Sequence, residues 1–163
     1  MAERFTLRRM TAYTSYTTPT GYQVAPAAGV VVSDRLDERS YALYRTQGYG
    51  RAEVAHYFAG GQARSFTRYR GERPIAGCFT YQNYGQVHEI AGVYTVPEAR
   101  RQGHGRAVVS SALKNLSSRK LVPRYQVRED NAASVHLAET MGLKPFVTTT
   151  HWLYEPTASP RSE

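Results

Sequence analysis

The chain has 163 residues, of which 41% are apolar and 12% aromatic, enough for one domain with a buried core. No apolar run approaches the length of a membrane-spanning helix, and no basic segment followed by an apolar stretch opens the sequence, so neither a membrane span nor secretion is predicted. The single cysteine, Cys78, lies in the apolar run IAGCFTY, which predicts a small buried residue rather than a nucleophile. A lone cysteine cannot form an internal disulfide and favours a reducing cytoplasm.

The formal net charge is +8, and arginine supplies most of it, since the only lysines are Lys114, Lys120 and Lys144. The planar guanidinium group suits phosphate recognition. A nucleic-acid-binding domain is disfavoured, because the arginines are spread along the whole chain without a long basic run or an aromatic-basic recognition motif. The charge therefore predicts an anionic ligand without identifying it.

The first part of the chain consists of an N-terminal segment without a clear pattern, a predicted strand and two predicted helices. Residues 1–28 are rich in Thr, Tyr and Pro and show no clear periodicity, which leaves an arm, a partly ordered strand and a contact surface open. The run GVVVSD, residues 29–34, predicts a short buried strand. From Asp34 to Phe58 the apolar spacing predicts two short helices that are interrupted at QGYG.

The rest of the chain alternates strand and helix patterns. The predicted elements, in order, are a hairpin of RSFTRYR and IAGCFTYQ that turns at Gly71, a strand at HEIAGVYTV (88–96), a helix after a glycine-containing loop, a strand at VPRYQV, a helix from Asn131 to Gly142, and a last strand at FVTTTHWLYE. The first of these helices has one apolar face, made of Val108, Val109, Ala112, Leu113 and Leu116. This order predicts a mixed α/β fold.

The stretch EARRQGHGRAVV, residues 98–109, carries two glycines around a histidine, between a predicted strand and a predicted helix. The first backbone N–H groups of a helix are free and lie at the positive end of its dipole, so this position binds anions. Gly103 and Gly105 keep side chains away from those N–H groups, while Arg100, Arg101 and Arg106 add cationic donors. The stretch therefore predicts a cradle for phosphate or pyrophosphate.

Two other phosphate-binding loops fit less well. A Walker A loop requires G-x-x-x-x-G-K-[ST], and neither its spacing nor its lysine is present. A dinucleotide fingerprint requires G-x-G-x-x-G, and Val108 stands at the third glycine, although Glu129 and Asp130 could imitate its ribose-binding acid. The loop also lies too late in the chain for a doubly wound sheet.

The loop and the sequence after it resemble the GNAT superfamily of acyl-CoA N-acyltransferases. The pyrophosphate loop of that family, [QR]-x-x-G-x-[GA] between a strand and a long helix, matches Arg100, Gly103 and Gly105. Its second block, usually V-x-x-x-N-x-x-[AS]-x-x-L-Y-x-x-x-G-F, is similar to VREDNAASVHLAETMGL, with matches at Val127, Asn131, Ser134, Leu137 and Gly142. The resemblance is specific over residues 88–146, follows the element order back to residue 29 and is absent before it.

The resemblance implies a GNAT fold, with a mostly antiparallel, twisted central sheet, helices on both faces and a splayed strand pair that holds the cofactor. It implies a GNAT domain over 29–154, between the arm at 1–28 and a flexible tail at 155–163. The implied co-substrate is acetyl-CoA, and no metal is implied. The implied binding residues are Val93, Tyr94, Thr95, Arg100, Arg101, Gln102, Gly103, His104, Gly105, Arg106 and Asn131.

The same resemblance implies direct transfer from the thioester to an amine. The backbone N–H of Val93 corresponds to the family's donor to the carbonyl oxygen, and Gly92 would ease a bulge where the strand splays. Glu89 stands eleven residues before Arg100, the spacing of the general-base glutamate in histone-acetylating relatives. Four strand residues span about 13 Å, so a bridging water is implied. A salt-bridged structural Glu89 and a His88 base remain alternatives.

The general acid is the point at which this sequence departs from the family pattern. The tyrosine that usually follows the leucine of the second block is Ala138. Ser134, one turn earlier on the same predicted face, could donate a hydrogen bond to the leaving thiolate. Tyr125 is an alternative without support from the pattern, and His136 is predicted to face elsewhere than position 138.

The family selects its acceptor largely through the first helix pair and the final strands, which here are aromatic and basic. No clearly acidic pocket for a polycation is evident, so a primary amine of a small molecule or peptide is favoured. The alternative is a catalytically weak GNAT-fold module that binds acyl-CoA or a protein partner. Neither nucleic acid nor a membrane is an expected partner, and the edge strands with the Tyr-rich arm are compatible with a homodimer.

Overall fold

The computed structural model describes residues 5–156, and within them the chain forms one sheet of seven strands and four α-helices. The strands are β1 (Phe5–Thr17), β2 (Val30–Ser33), β3 (Arg64–Arg70), β4 (Arg73–Tyr84), β5 (Val87–Thr95), β6 (Val122–Arg128) and β7 (Lys144–Pro156). The helices are α1 (Glu38–Arg45), α2 (Arg51–Ala59), α3 (His104–Ser118) and α4 (Ala132–Thr140), and a short 3₁₀ turn covers Pro97–Ala99.

The strand order across the sheet is β2-β3-β4-β5-β6-β1-β7. Every neighbouring pair is antiparallel except β5 and β6, which are joined through α3 and run parallel. The mixed α/β fold with a mostly antiparallel sheet is therefore confirmed.

Two apolar cores lie on opposite faces of the sheet. On one face, α1 and α2 pack through Tyr44 and Phe58 against Phe79 of β4. On the other face, α3 and α4 pack against Cys78, the preceding residue of β4, whose side chain points the opposite way. Cys78 is fully buried, as predicted, and so is the predicted apolar face of α3, made of Val108, Val109, Ala112, Leu113 and Leu116.

For the N-terminal segment the sequence leaves an arm, a partly ordered strand and a contact surface open, and the structure shows a strand. Phe5–Thr17 forms an internal strand that pairs with β6 on one edge and β7 on the other. Its Thr and Tyr residues favour extended backbone, and the two partner strands come from distant sequence that a local pattern does not reveal. The following segment is docked too, since the Tyr22 hydroxyl donates to the Met141 carbonyl at 2.7 Å. Residues 1–4 of the arm lie outside the described residues.

The two ends of the sheet also differ from expectation. β2 is an exposed edge strand rather than a buried one, with Val31 54% and Val32 48% exposed, because only β3 pairs with it. The predicted tail begins too early, because β7 continues through Glu155 and pairs with β1 as far as Pro156. Residues 157–163 lie outside the described residues.

β5 carries two irregularities that position the site. Gly92 and Val93 together face the single Cys78 of β4, so a β-bulge lies where the sequence predicts one. Gly92 has a φ of +61°, which L-residues with a side chain rarely adopt. On its other edge, β5 pairs with β6 only from Val87 to Glu89, and the strands separate beyond that point. The splayed strand pair implied by the family resemblance is therefore present.

Gly92→Ala should destabilise the fold strongly, because the added methyl group would lie 2.8 Å from Phe79 Cε1 and 3.1 Å from Tyr44 Cδ1. Gly85→Ala is the matched control, since Gly85 also has a positive φ (+53°) but no other described residue lies within 4 Å of an added Cβ. In urea denaturation we expect Gly85→Ala to lower the free energy of unfolding by about 1 kcal/mol and Gly92→Ala by about 1–3 kcal/mol more. Equal losses would show that the bulge has room for a side chain.

Candidate functional site

The separation of β5 and β6 opens two adjoining cavities. The first cavity, about 740 Å³, lies between the diverging strands, against residues 89–93 of β5 and 124–128 of β6. The second cavity, about 700 Å³, extends from the end of β5 to the start of α3 and along one side of α4. Four residues line both cavities and mark the place where they meet: Gln47, Val93, Asn131 and Ser134.

The loop before α3 has the backbone geometry of an anion cradle. φ is positive at Arg101 (60°) and at Gly103 (79°), on either side of Gln102. Alternation of this kind turns successive N–H groups to one side and makes a concave anion-binding surface. The first hydrogen bond of α3 runs from the Ala107 N–H to the Gly103 carbonyl, so the N–H groups of residues 104–106 have no partner within the helix. The loop that the sequence predicts as a phosphate cradle forms one end of the second cavity.

The arginines of this loop are held in different ways. Arg100 Nε donates to the Thr95 carbonyl at 3.1 Å, and its guanidinium group lies 5.7 Å from the centre of the Tyr94 ring. Arg106 Nη1 donates at 3.3 Å to the carbonyl of the last residue of α4 and so joins α3 to α4. Both side chains line the second cavity together with Arg101, which gives that end of the cavity a positive charge.

Two other loop residues are placed differently. Gln102 does not line the second cavity, and its side-chain amide donates to the Glu98 carbonyl at 3.2 Å. If Gln102 contributes to the predicted phosphate site, the contributing group would be its backbone N–H. His104 lines the cavity, and burial lowers its pKa, with the charges of Arg68 and Arg70 adding to the decrease. The lowered pKa favours the neutral form of the imidazole at the start of α3.

The strand segment predicted for the pantetheine arm, residues 93–95, also lines the second cavity. Its edge toward β6 lies beyond the last β5–β6 pair, Glu89↔Arg124, so β6 does not pair with it. The Gln126 N–H of β6 instead donates to Glu89 Oε1 at 3.1 Å. An unpaired strand edge can bind an extended, amide-containing chain as an additional strand.

Glu89 is buried, with 5% of its surface exposed, where the strands separate. Its Oε2 accepts hydrogen bonds from Arg124 Nη1 and Asn83 Nδ2, both at 3.0 Å, while Oε1 accepts the Gln126 N–H. Burial raises the pKa of Glu89 above its ordinary value, and the Arg124 charge and these hydrogen bonds oppose the increase without cancelling it. Glu89 lines the first cavity and forms a salt bridge with Arg124, so the salt-bridged alternative is present, while its role as a general base stays a prediction.

His88 and Ala138 face the core instead. His88 is 1% exposed, alternates with Glu89 along β5 and lines neither cavity, so it is misplaced for the alternative base. Ala138 is wholly buried under α4. His136 faces elsewhere than position 138, as predicted, but the side it faces is the second cavity, which meets the face of α4 that consists of Ala133, His136, Leu137 and Thr140.

Asn131 and Ser134 stand at the junction of the two cavities. Asn131 is the N-cap of α4, as predicted, and its Oδ1 accepts the Ser134 N–H at 3.1 Å. The Ser134 hydroxyl lies close enough to that of Tyr125 to lower the pKa of the phenol, which burial raises to about 12. Tyr125 lines the first cavity from β6.

Sequence reasoning missed several residues that line the first cavity, among them Gln47, Tyr49, Tyr81 and Arg124. Gln47 and Tyr49 belong to the QGYG segment, which the sequence marks only as a break between helices. The Tyr49 ring packs edge-on against Phe79, with the ring centres 5.2 Å apart. That contact holds the QGYG segment close to β5. No signal within the segment itself reveals this position.

The chain belongs to the acetyltransferase (GNAT) family, because the model of that family matches residues 34–143. Members of this family use an acyl-CoA and an acceptor substrate. The loop before α3, the splayed strand pair and the adjoining cavities described above lie within the matched range, apart from Tyr13 of β1.

Solved structures share the fold at low sequence identity. A GCN5-related N-acetyltransferase from Kribbella flavida matches with a TM-score of 0.67 and 17% identity, over 93% of this chain and 61% of its own. A GNAT-family acetyltransferase from Colwellia psychrerythraea matches with a TM-score of 0.67 and 12% identity, over 93% of this chain and 57% of its own. A Bacillus subtilis acetyltransferase in complex with CoA matches with a TM-score of 0.59 and 13% identity, over 69% of this chain and 74% of its own. This chain thus spans less than two thirds of the first two proteins.

No curated protein matches the sequence. None of the helices within residues 5–156 has the length and apolar character needed to cross a membrane. Over the same residues, no group of three or more His, Cys, Asp or Glu side chains is arranged to hold a metal ion.

Substitutions at Gly103 test whether the loop binds the pyrophosphate of CoA. Asp and Asn have nearly the same shape, and both tolerate left-handed backbone, so Gly103→Asp and Gly103→Asn differ mainly in charge. We expect Gly103→Asp to bind CoA at least about tenfold more weakly than Gly103→Asn, because a carboxylate in the cradle would repel the phosphates. Isothermal titration of CoA, with circular dichroism to establish folding, measures the difference. Equal affinities would contradict a pyrophosphate site here.

Proposed function

We propose that this chain is an N-acetyltransferase that transfers an acetyl group from acetyl-CoA to a primary amine of a small molecule or peptide by direct attack. The observation that carries the proposal is the meeting of two cavities at Val93 and Ser134. The second cavity ends at the loop before α3, and the first contains the carboxylate of Glu89. A donor in the second cavity and an acceptor in the first would meet at the bulge in β5.

The second cavity supports acyl-CoA as the donor. Pyrophosphate would bind the N–H groups of the loop with Arg101 and Arg106, and the pantetheine arm would lie along the free edge of residues 93–95. That arrangement brings the thioester to the junction beside Ser134 and Asn131. Acetyl is proposed as the acyl group because the matching family is one of acetyltransferases.

The chemistry of transfer follows from groups around the junction. The Val93 N–H would donate to the carbonyl oxygen as negative charge develops there. Glu89 would take the proton of the amine through bridging water, since four strand residues span about 13 Å. Three donors hold its carboxylate, and burial raises its pKa, which suits a general base. Ser134 would donate a hydrogen bond near the leaving sulfur.

The first cavity favours an amine without many positive charges. Its acidic side chains Glu89 and Asp130 are each paired with an arginine, Arg124 at 3.0 Å and Arg128 at 2.5 Å. A polycation would therefore meet little net negative charge. Three tyrosine rings suit the apolar part of a small amine or a peptide side chain: Tyr13, Tyr49 and Tyr81.

Location and assembly are further proposals. The buried free thiol of Cys78 supports a cytoplasmic location. Exposed apolar side chains on β1 and β7 support a homodimer; they are Leu7, Met10, Phe146, Val147, Trp152, Leu153 and Tyr154.

A second candidate function is a GNAT-fold module that binds acyl-CoA or a protein partner with little catalysis. Ala138 favours it, since the position of the family's usual tyrosine carries no hydroxyl and lies in the core. The two candidates differ in turnover rather than in acyl-CoA binding.

Glu89→Gln tests the proposed base. We expect kcat to fall about 100-fold or more, with the affinity for acetyl-CoA within about twofold of wild type, because glutamine keeps the shape but cannot accept the proton. The assay follows CoA release with an arylalkylamine, an amino sugar, spermidine and peptides with a free N-terminus. Glu72→Gln, at the exposed β3–β4 turn, is the matched control.

The outcomes of this assay separate the candidates. Activity that survives Glu89→Gln would remove Glu89 as the base but leave the proposed function standing. Acetyl-CoA binding without transfer to any amine would favour the binding module.

Arg124→Met should move the acidic limb of the pH profile of kcat/KM to higher pH. Arg124 lowers the pKa of Glu89, so its removal raises that pKa further, and the carboxylate form that acts as a base is reached only at higher pH. Arg128→Met is the matched control, because it removes a cation from the same cavity that is paired with Asp130 instead. A limb that does not move with Arg124→Met, or that moves equally in both variants, would exclude Glu89 as the titrating group.

A further inference from the structure

Tyr125 is a buried tyrosine whose hydroxyl has no hydrogen-bond partner among residues 5–156. The residue is only 3% exposed. Burial of a hydroxyl without a hydrogen-bond partner opposes folding, so the fold would be more stable with phenylalanine at this position. A tyrosine here therefore points to a functional use of the hydroxyl. An orphaned polar atom of this kind calls for a physical explanation.

The position of Tyr125 links it to both cavities. It directly follows Arg124, the last residue of β6 that pairs with β5, so it stands where the gap between the strands begins. It lines the first cavity together with Val93 and Ser134, two of the four residues that also line the second cavity.

Tyr125 belongs to the same buried cluster as Cys78, the residue of β4 that faces the bulge, and Val93 packs against that cluster. Tyr125 also lines the first cavity together with Gly92 and Val93. Burial raises the pKa of Tyr125 to about 12, and the nearby Ser134 hydroxyl lowers it. Tyr125 therefore lies beside the bulge, where the thioester would meet the Val93 N–H.

Two neighbouring positions on α4 do not supply an equivalent acid. Ala138 has no hydroxyl and is buried in the core. Ser134 has a hydroxyl, but an aliphatic alcohol is a weaker acid than a phenol. Ser134 lies near Tyr125 without reaching hydrogen-bond geometry, so the phenol is free to donate to a ligand.

We propose that Tyr125 is a catalytic residue whose hydroxyl donates a hydrogen bond to the thioester sulfur and gives its proton to the departing thiolate. This inference rests on the proposed function. The amine nitrogen forms the C–N bond and loses one proton through water to Glu89. The C–S bond breaks, and the sulfur takes its electron pair and the Tyr125 proton, which leaves CoA as the thiol. The phenolate then regains a proton from solvent and Glu89 releases the amine proton to solvent, so amine and acetyl-CoA yield amide and CoA.

Tyr125→Phe tests the role, since it removes the hydroxyl and keeps the ring in the core. We expect kcat to fall at least about tenfold with the KM for acetyl-CoA within about twofold of wild type. We also expect Tm to be equal or higher, because an unpartnered polar atom is lost. Tyr16→Phe is the matched control: Tyr16 lies opposite Tyr125 on β1, is also buried and lines neither cavity, so its kcat should equal that of wild type. An unchanged kcat in Tyr125→Phe would overturn the proposal.

A binding experiment separates Tyr125 from the proposed function as a whole. We expect Tyr125→Phe to bind CoA about 2- to 10-fold more weakly and to bind desulfo-CoA, which lacks the sulfur, as wild type does. If wild type acetylates no amine but shows this selective loss, the proposed function fails while the contact between Tyr125 and the sulfur stands. If both ligands lose affinity equally, or neither does, Tyr125 does not contact the sulfur and the proposal is overturned.

Discussion

The separation of β5 from β6 beyond Glu89 is the constraint on which the rest of the structure depends. The Glu89 carboxylate accepts the Gln126 N–H of β6, and so takes the place that the next part of β5 would occupy in a continuous pair. The bulge at Gly92–Val93 then changes the course of β5. Arg124 and Asn83 hold the carboxylate in this buried position. One buried acidic side chain therefore shapes the sheet and supplies a titratable group to the gap.

The same separation explains why features that oppose stability gather here. Gly92 adopts a left-handed conformation against Phe79, and Glu89 is an ion-paired carboxylate in the interior. The Tyr125 hydroxyl is buried without a hydrogen-bond partner in the described part of the chain. Each departs from what a stable sheet requires, whereas the helix faces and the two cores follow the ordinary rules of burial. Such departures are expected where a protein binds and reacts rather than merely packs.

Some parts of the site were predictable because they depend on residues close together in the chain. The glycines of the loop before α3, the bulge at Gly92 and the cap at Asn131 each follow from backbone requirements over a few positions. β1 was not predictable in this way, since it pairs with strands that lie more than a hundred residues further along the chain. The sequence separated His136 from position 138 correctly but did not reveal that His136 meets the second cavity, because that depends on how Ala138 packs into the core.

From residue 29 onward the order of helices and strands, the glycine-containing loop before α3 and the family resemblance could be predicted from the sequence alone, because these rest on periodicity and on motifs of short range. Three features came only with the fold: the N-terminal segment is an internal strand, Gln47 and Tyr49 reach the gap, and His88 does not. The physical reason is that strand pairing and core packing join residues far apart in sequence, and local patterns carry no record of which distant partner an element meets.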